Sequence, residues 1–160
     1  MIIDSSTLIL AAKTGLLDHI IKNKELEITN KVKEESIVAK ESFDSKIIEQ
    51  RISENKIKVK EIKDVELYDK LIKDFNLGKG EAEAIVLASE KNKTILVDDK
   101  KAINSCKILN IKFATALNIL VKLHKDNKIK KEETRIILNK LKKYGRYSQD
   151  IINKVEEDIK

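Results

Sequence analysis

The residues of this chain best suited to chemistry are carboxylates, and they fall at the ends of apolar segments. Asp4 follows Met-Ile-Ile, and the doubled Asp98-Asp99 follows the β-branched run at 94–97. Glu81 and Glu83 open an otherwise apolar stretch just after Gly78 and Gly80, while Glu34 and Glu35 lie in the segment NKVKEES. Acids that face one pocket repel each other and raise one another's pKa. A divalent cation removes that conflict, and Mg²⁺ or Mn²⁺ suits carboxylate and water oxygens. Such ions can activate a water and stabilise the leaving oxygen of a phosphodiester. Zinc is a poor match, because His19 and His124 are far apart and lack ligand spacing. Each acid also has an ordinary structural use. Glu81 and Glu34 or Glu35 favour the positive end of a helix dipole, and Asp4 and Asp99 can cap helices.

The elements that must position these acids can be read from periodicity. Residues 1–4 form a short buried strand, and the Ser5-Ser6-Thr7 cluster can cap a helix over 7–13 that stops at Gly15. A helical segment follows at 16–21, then a strand at 26–28. The next helix, starting at Lys31, carries Val32, Ile37 and Val38. Residues 43–55 place Phe43, Ile47, Ile48 and Ile52 at near-helical spacing. The stretch 57–62 alternates apolar and charged residues, which predicts an edge strand. Residues 64–75 form an amphipathic helix with Val65, Leu67, Tyr68, Leu71, Ile72 and Phe75 inward. The Glu81 helix and the 94–97 strand come next, then a helix at 99–109, a strand at 111–113 and a helix at 116–125. Two final helices, 131–143 and 148–159, are joined by YGRY with Gly145 as C-cap.

Strands alternating with helices imply βαβ units, a parallel sheet and right-handed crossovers. The expected fold is α/β, a three-layer α/β/α sandwich with a short-stranded parallel sheet and a C-terminal helical hairpin. One domain is expected over 1–160, with its core at about 1–130. In such a sheet, ligands bind beyond the carboxyl ends of the strands, where Asp4 and Asp98-Asp99 fall. Glu81 and Glu83 are about 200° apart around a helix axis, so both cannot point into one pocket. Glu81 is nearer the helix start, which leaves Glu83 as a side-wall or salt-bridge residue.

Composition narrows the class. The chain has 160 residues, 38% of them charged and 41% hydrophobic, with mixed signs that suit a folded domain with a highly charged surface. A net charge of +6 and a pI near 9.2 point toward a polyanionic partner. One cysteine excludes an intramolecular disulfide and fits a reducing compartment. No apolar run approaches the ~20 residues that span a bilayer, and the N-terminus lacks a basic leader. The expected location is cytoplasmic, away from membranes.

Taken together, MIIDSSTLILAAKTGLL, NKVKEES, LGKGEAEAIVLASEKN, TILVDDKKA and FATALNILVKLHKDNKI resemble, in order and spacing, the PIN-domain ribonucleases, including VapC-like toxins. The resemblance implies that Asp4, Glu35, Glu81 and Asp99 form an acidic cluster holding Mg²⁺ or Mn²⁺. Asp98 stays open as the alternative to Asp99, and Glu34 as the alternative to Glu35. Ser6 resembles the family's small hydroxyl residue that orients the first aspartate, and Thr115 a further polar position near the site; both can equally be helix caps. The implied reaction is hydrolysis of RNA by a metal-activated water. Lys13, Lys79, Lys100 and Lys101 are candidates to hold RNA phosphates, and the scarcity of aromatic residues predicts little base stacking.

Two other readings compete. A PIN-like module that grips RNA or a protein without cutting would bind independently of metal. An acid-based phosphatase acting through Asp4 rests only on the weak cue of Asp-Ser-Ser. An antitoxin partner and a homodimer, built on the first helices and the C-terminal hairpin, complete the expectations.

Overall fold

The structure is a computed structural model that describes residues 1–39 and 41–160. Five parallel strands, β1 (Ile2–Ile3), β2 (Leu26–Thr29), β3 (Ile57–Lys60), β4 (Ile95–Leu96) and β5 (Phe113–Ala114), form one sheet in the order β3-β2-β1-β4-β5. Ile2 sits in register with Glu27 on one side and Ile95 on the other. Ile2, Ile3, Leu26, Ile28, Ile95, Leu96 and Val97 are all buried, as expected of inner strands covered on both faces. β3 is an edge strand, and beyond Ile57 it is only half buried.

Ten helices complete the α/β/α layers among the described residues. They are α1 (Ser5–Thr14), α2 (Leu16–Asn23), α3 (Asn30–Ser36), α4 (Phe43–Ser53), α5 (Val65–Phe75), α6 (Lys79–Lys91), α7 (Lys100–Ile108), α8 (Ala116–Lys125), α9 (Lys131–Tyr144) and α10 (Gln149–Asp158). One layer gathers α3, α5, α6 and α7, and the other α1, α2, α4, α8, α9 and α10, with α1 also touching α3. α6 lies against β1, β2 and β4 and is buried at Ala82, Ala84, Ile85, Val86, Leu87 and Ala88. That explains a helix with hardly any polar face.

Helix ends follow local chemistry. Asn55, Asn76, Asn92, Asn110 and Asn127 all adopt positive φ, at or just past the ends of α4, α5, α6, α7 and α8. Asparagine tolerates the left-handed region better than other side chains. In a chain with four glycines it takes over the role of helix stop. Gly15, at φ 82, does the same for α1.

Several sequence expectations shift. The cap of α1 is Asp4 itself, so the helix begins at Ser5 and the Ser-Ser-Thr cluster lies inside it. α3 ends at Ser36, leaving Val38 beyond the helix and 77% exposed. In α4 the inner stripe is Asp44, Ser45 and Ile48, while Phe43 points outward at 73% exposure. Ser42 and Ser45 explain this placement: they bond to each other, and Ser45 also donates to the Ser36 carbonyl, fixing the rotation of the helix. Val65, at the first position of α5, is exposed as well. Gly145 follows α9 with ordinary extended φ, not the left-handed C-cap conformation.

A charged cluster ties the amino edge of the sheet. Glu27 on β2 is buried and accepts from Lys91 Nζ at 2.7 Å and Lys93 Nζ at 2.5 Å. Burial opposes its charge, but the two lysines win and hold its carboxyl below the usual range. The lysines are 30% and 33% exposed, so they can return to water whereas Glu27 cannot. Replacing Lys91 and Lys93 together by methionine is expected to cost about 3 kcal/mol by stranding a buried carboxylate. Glu27→Gln should cost distinctly less, and urea unfolding at neutral pH will order the two variants.

Candidate functional site

The sheet reverses its winding between β1 and β4: from β1 the chain moves to β2 and β3, then returns to β4 and continues to β5. The crevice beyond the carboxyl ends of those two strands is where such sheets bind ligands. Asp4 leaves β1 there, and Asp98 and Asp99 lie just beyond β4. α6 follows α5 in the connection from β3 to β4 and leads directly into β4, so it must run back across the sheet and its first turn also opens at this edge. It brings Gly78, Gly80 and Glu81 to the site.

Asp4 is fully buried. Its Oδ1 accepts from the Thr7 backbone N–H at 2.9 Å and its Oδ2 from Ser6 Oγ at 3.0 Å. Burial pushes its carboxyl up to about 6, the hydrogen bonds from Thr7 and Ser6 pull it back, and the charge of Glu81 adds to the rise. Glu81 closes its own helix by accepting from the Gly78 N–H at 2.9 Å. Burial raises it above its ordinary value, the Gly78 bond opposes, Asp99 and Glu35 add to the rise, and Lys101 opposes.

Glu35 reaches the site from the end of α3. Ser5 Oγ donates to its Oε2 at 2.7 Å and the Gly80 N–H to its Oε1 at 3.2 Å. A Cβ on Gly80 would stand 2.2 Å from Glu35 Oε2, so only glycine at that position lets α6 accept this carboxylate. Glu34 turns to solvent and pairs with Lys31 at 3.0 Å. Glu83 accepts from the Lys31 N–H at 3.3 Å, away from Asp4, as a wall residue.

The adjacent aspartates part ways. Asp99 caps α7, its Oδ1 accepting from the N–H groups of Lys101 at 2.7 Å and Ala102 at 3.2 Å, and it stands near enough to Glu81 to raise that group. Asp98 turns toward the C-terminal helices. Its Oδ1 accepts from Tyr147 Oη at 2.8 Å, and the Ala116 N–H points at both its oxygens at 3.3 Å. Burial raises Asp98, with the bonds from Tyr147 and Ala116 opposing. The Tyr147 hydroxyl is in turn driven far above its ordinary value by burial and by Asp98. Sequence reasoning missed Tyr147; the only signal was YGRY, an aromatic-rich stretch in a chain with six aromatic side chains.

Thr115 caps α8 through Asn118 and bonds to none of the acids; its neighbour Ala116 provides the contact to Asp98. Of the lysines, Lys101 acts on Glu81 and Lys100 lines the cleft beside it. Lys79 is the first residue of α6, at the same edge. Lys13 lies in the last turn of α1, about 14 Å along the helix from the Asp4 end, away from the acids.

Two features favour a cation among these groups. Asp4, Glu35, Glu81, Asp98 and Asp99 take part in no ion pair among the described residues, although the chain has 33 lysines and arginines. The Thr7 hydroxyl is buried beside Asp4 and Asp98 and lowers both carboxyls, without well-formed hydrogen-bond geometry to either. The donors are hard carboxylate oxygens suited to Mg²⁺ or Mn²⁺. As they stand, no three acids, histidines or cysteines among the described residues form a group that could hold an ion. Glu35 and Glu81 are held back by their bonds to Ser5, Gly80 and Gly78. Cys106, buried nearby with its thiol pushed up to about 11 by burial and Asp4, is not a ligand candidate.

The sign of the Asp4 effect on stability follows from its raised pKa. Between an ordinary value of 3.8 and about 6, the folded state holds a proton that the unfolded chain has lost. Stability therefore falls as pH rises through that window. In EDTA, Asp4→Asn is expected to stabilise the protein above pH 6 by on the order of 3 kcal/mol, with the gain vanishing below about pH 4. Chemical denaturation across pH measures it.

No helix among the described residues is long and apolar enough to cross a membrane. Among known families, the model described as PIN domain matches residues 1–160. No curated protein and no solved structure matches the chain.

Proposed function

The chain belongs to the PIN-domain family, and from that premise we propose that it is an Mg²⁺- or Mn²⁺-dependent endoribonuclease, the toxin of a toxin–antitoxin pair. The observation that carries the reading is the set of unpaired acids at the β1–β4 crevice of a chain with net charge +6. Elsewhere this chain neutralises acids readily: Glu27 has two lysines and Asp18 has Arg51. Acids spared that treatment, with Asp4 wholly buried, are suited to a cation.

Asp4, Glu35, Glu81 and Asp99 would hold the ion. Bound there, it would supply an activated water and charge neutralisation at the scissile phosphate. The residues themselves do the positioning. Ser6 and the Thr7 N–H fix the Asp4 carboxylate from both oxygens, Ser5 and Gly80 fix Glu35, and the first turn of α6 delivers Glu81. Because burial raises Asp4 and Glu81, a cation bound there would compete with their protons and its affinity would fall as pH drops. Lys79, Lys100 and Lys101 ring the acids with positive charge, where RNA phosphates would approach.

One observation favours the module that binds without cutting: the carboxyl oxygens are engaged in bonds within the protein, and among the described residues no three close on one point. The two readings separate by metal. The nuclease reading expects cleavage of total RNA in Mn²⁺, abolished by EDTA, by Asp4→Asn and by Glu81→Gln. Metal-indifferent RNA binding without cleavage in any metal would support the binding module.

A protein partner belongs to the same proposal. Val38 and Phe43 are exposed beside α3, the helix that carries Glu35. An antitoxin or second copy covering them would act next to the site.

Gly80 gives a further prediction. In Gly80→Ala the added methyl expels Glu35, while alanine favours the helix by ~1 kcal/mol. Cleavage should fall by at least about tenfold, taking the loss of one positioned group as ~1.4 kcal/mol or more. Thermal unfolding in EDTA should change little.

A further inference from the structure

The connection between α9 and α10 lines one wall of a cleft that includes part of the candidate site. Tyr144, Gly145, Arg146 and Tyr147 share a cleft of about 590 Å³ with Glu81, Asp99 and Lys100. Resting on the ribonuclease reading above, we propose that this connection is a subsite for single-stranded RNA: Arg146 and Lys100 take a phosphate next to the scissile one, and Tyr144 stacks a base.

The backbone there is held in place. Tyr147 donates to Asp98 at 2.8 Å, and its ring lies on Gly145, where a Cβ would stand 2.3 Å from Tyr147 Cε2 and 2.7 Å from the Leu141 carbonyl oxygen. With Tyr147 anchored on one side and α9 on the other, Tyr144 and Arg146 are presented at low ordering cost. Both are exposed, Tyr144 by 51%. The Lys143 ammonium stands over the Tyr144 ring, 5.4 Å from its centroid, so one face of the ring carries a cation–π contact and any base would stack on the other.

Charge points to a polyanion as occupant. Arg146 and Lys100 stand in a cleft with Glu81, Asp98 and Asp99, yet neither enters an ion pair among the described residues. Two cations outside any ion pair among the described residues and one exposed tyrosine beside the proposed phosphodiester site match the alternation of phosphate and base along a single strand. An arginine fork suits phosphate, and an exposed tyrosine suits any base.

The test uses full-length Asp4→Asn protein in EDTA with a fluorescent mixed-sequence oligoribonucleotide, read by anisotropy. Adding Arg146→Ala should weaken binding roughly tenfold and lower the slope of log affinity against log salt by about 0.7. Adding Tyr144→Ala should weaken binding roughly tenfold with the slope unchanged, while Tyr144→Phe keeps the affinity. A parent that fails to bind, or variants that bind like the parent with the same unfolding temperature, would overturn the subsite. Competition by polyglutamate as strong as by unlabelled RNA would assign the cations to an acidic protein segment and overturn it as well. Cleavage by the wild-type chain in Mn²⁺ is measured separately, so intact cleavage with unaffected binding in the variants sinks the subsite alone.

Discussion

A buried carboxylate with no basic partner among the described residues is the constraint around which this structure is arranged. Asp4 ends a strand of only two residues, yet that strand lies at the centre of the sheet, flanked by β2 and β4 and covered on both faces. Ionised carboxylates are expensive in such a place. The protein lowers the cost with the Ser6 hydroxyl and the Thr7 N–H, and leaves the rest unrelieved, so that the carboxyl holds its proton up to about pH 6. Relieving it by a neighbouring lysine would be easy in so basic a chain. Its absence among the described residues is what the proposed cation site rests on.

The contrast with Glu27 makes the point from inside the same fold. Both carboxylates are buried on neighbouring strands, and Glu27 is in register with Ile2, two residues from Asp4. Glu27 meets Lys91 and Lys93 at the amino edge and is drawn down; Asp4, at the carboxyl edge, is pushed up chiefly by burial, with Glu81 adding a little. α6 spans both edges, delivering Glu81 with its first turn and Lys91 with its last. One helix thus stabilises the sheet at one end and loads the site at the other.

The doubled aspartate shows a division of labour between adjacent residues. Asp98 anchors Tyr147 and the start of α8, while Asp99 starts α7 and turns toward Glu81. The C-terminal helices are therefore coupled to the floor of the site through a side chain one residue from a proposed metal ligand. That coupling gives Gly145 its role, since a side chain there would collide with the Tyr147 ring.

Much of this was legible in the sequence because it depends on local periodicity. Alternating strands and helices, the apolar Glu81 helix, the edge character of β3 and the clustering of acids at element ends all follow from residue spacing. Glu81 over Glu83 follows from helix geometry alone. The rotation of α4, which turns Phe43 outward, was decided by hydrogen bonds among Ser36, Ser42 and Ser45 that no periodicity encodes. Only the tertiary structure separated Glu35 from Glu34 and Asp99 from Asp98, because neighbours in sequence are distinguished by what arrives from elsewhere: Ser5 and Gly80 for one pair, Tyr147 and Ala116 for the other. Sequence determines which groups can carry charge to an edge; long-range packing determines which of them remain without a partner there.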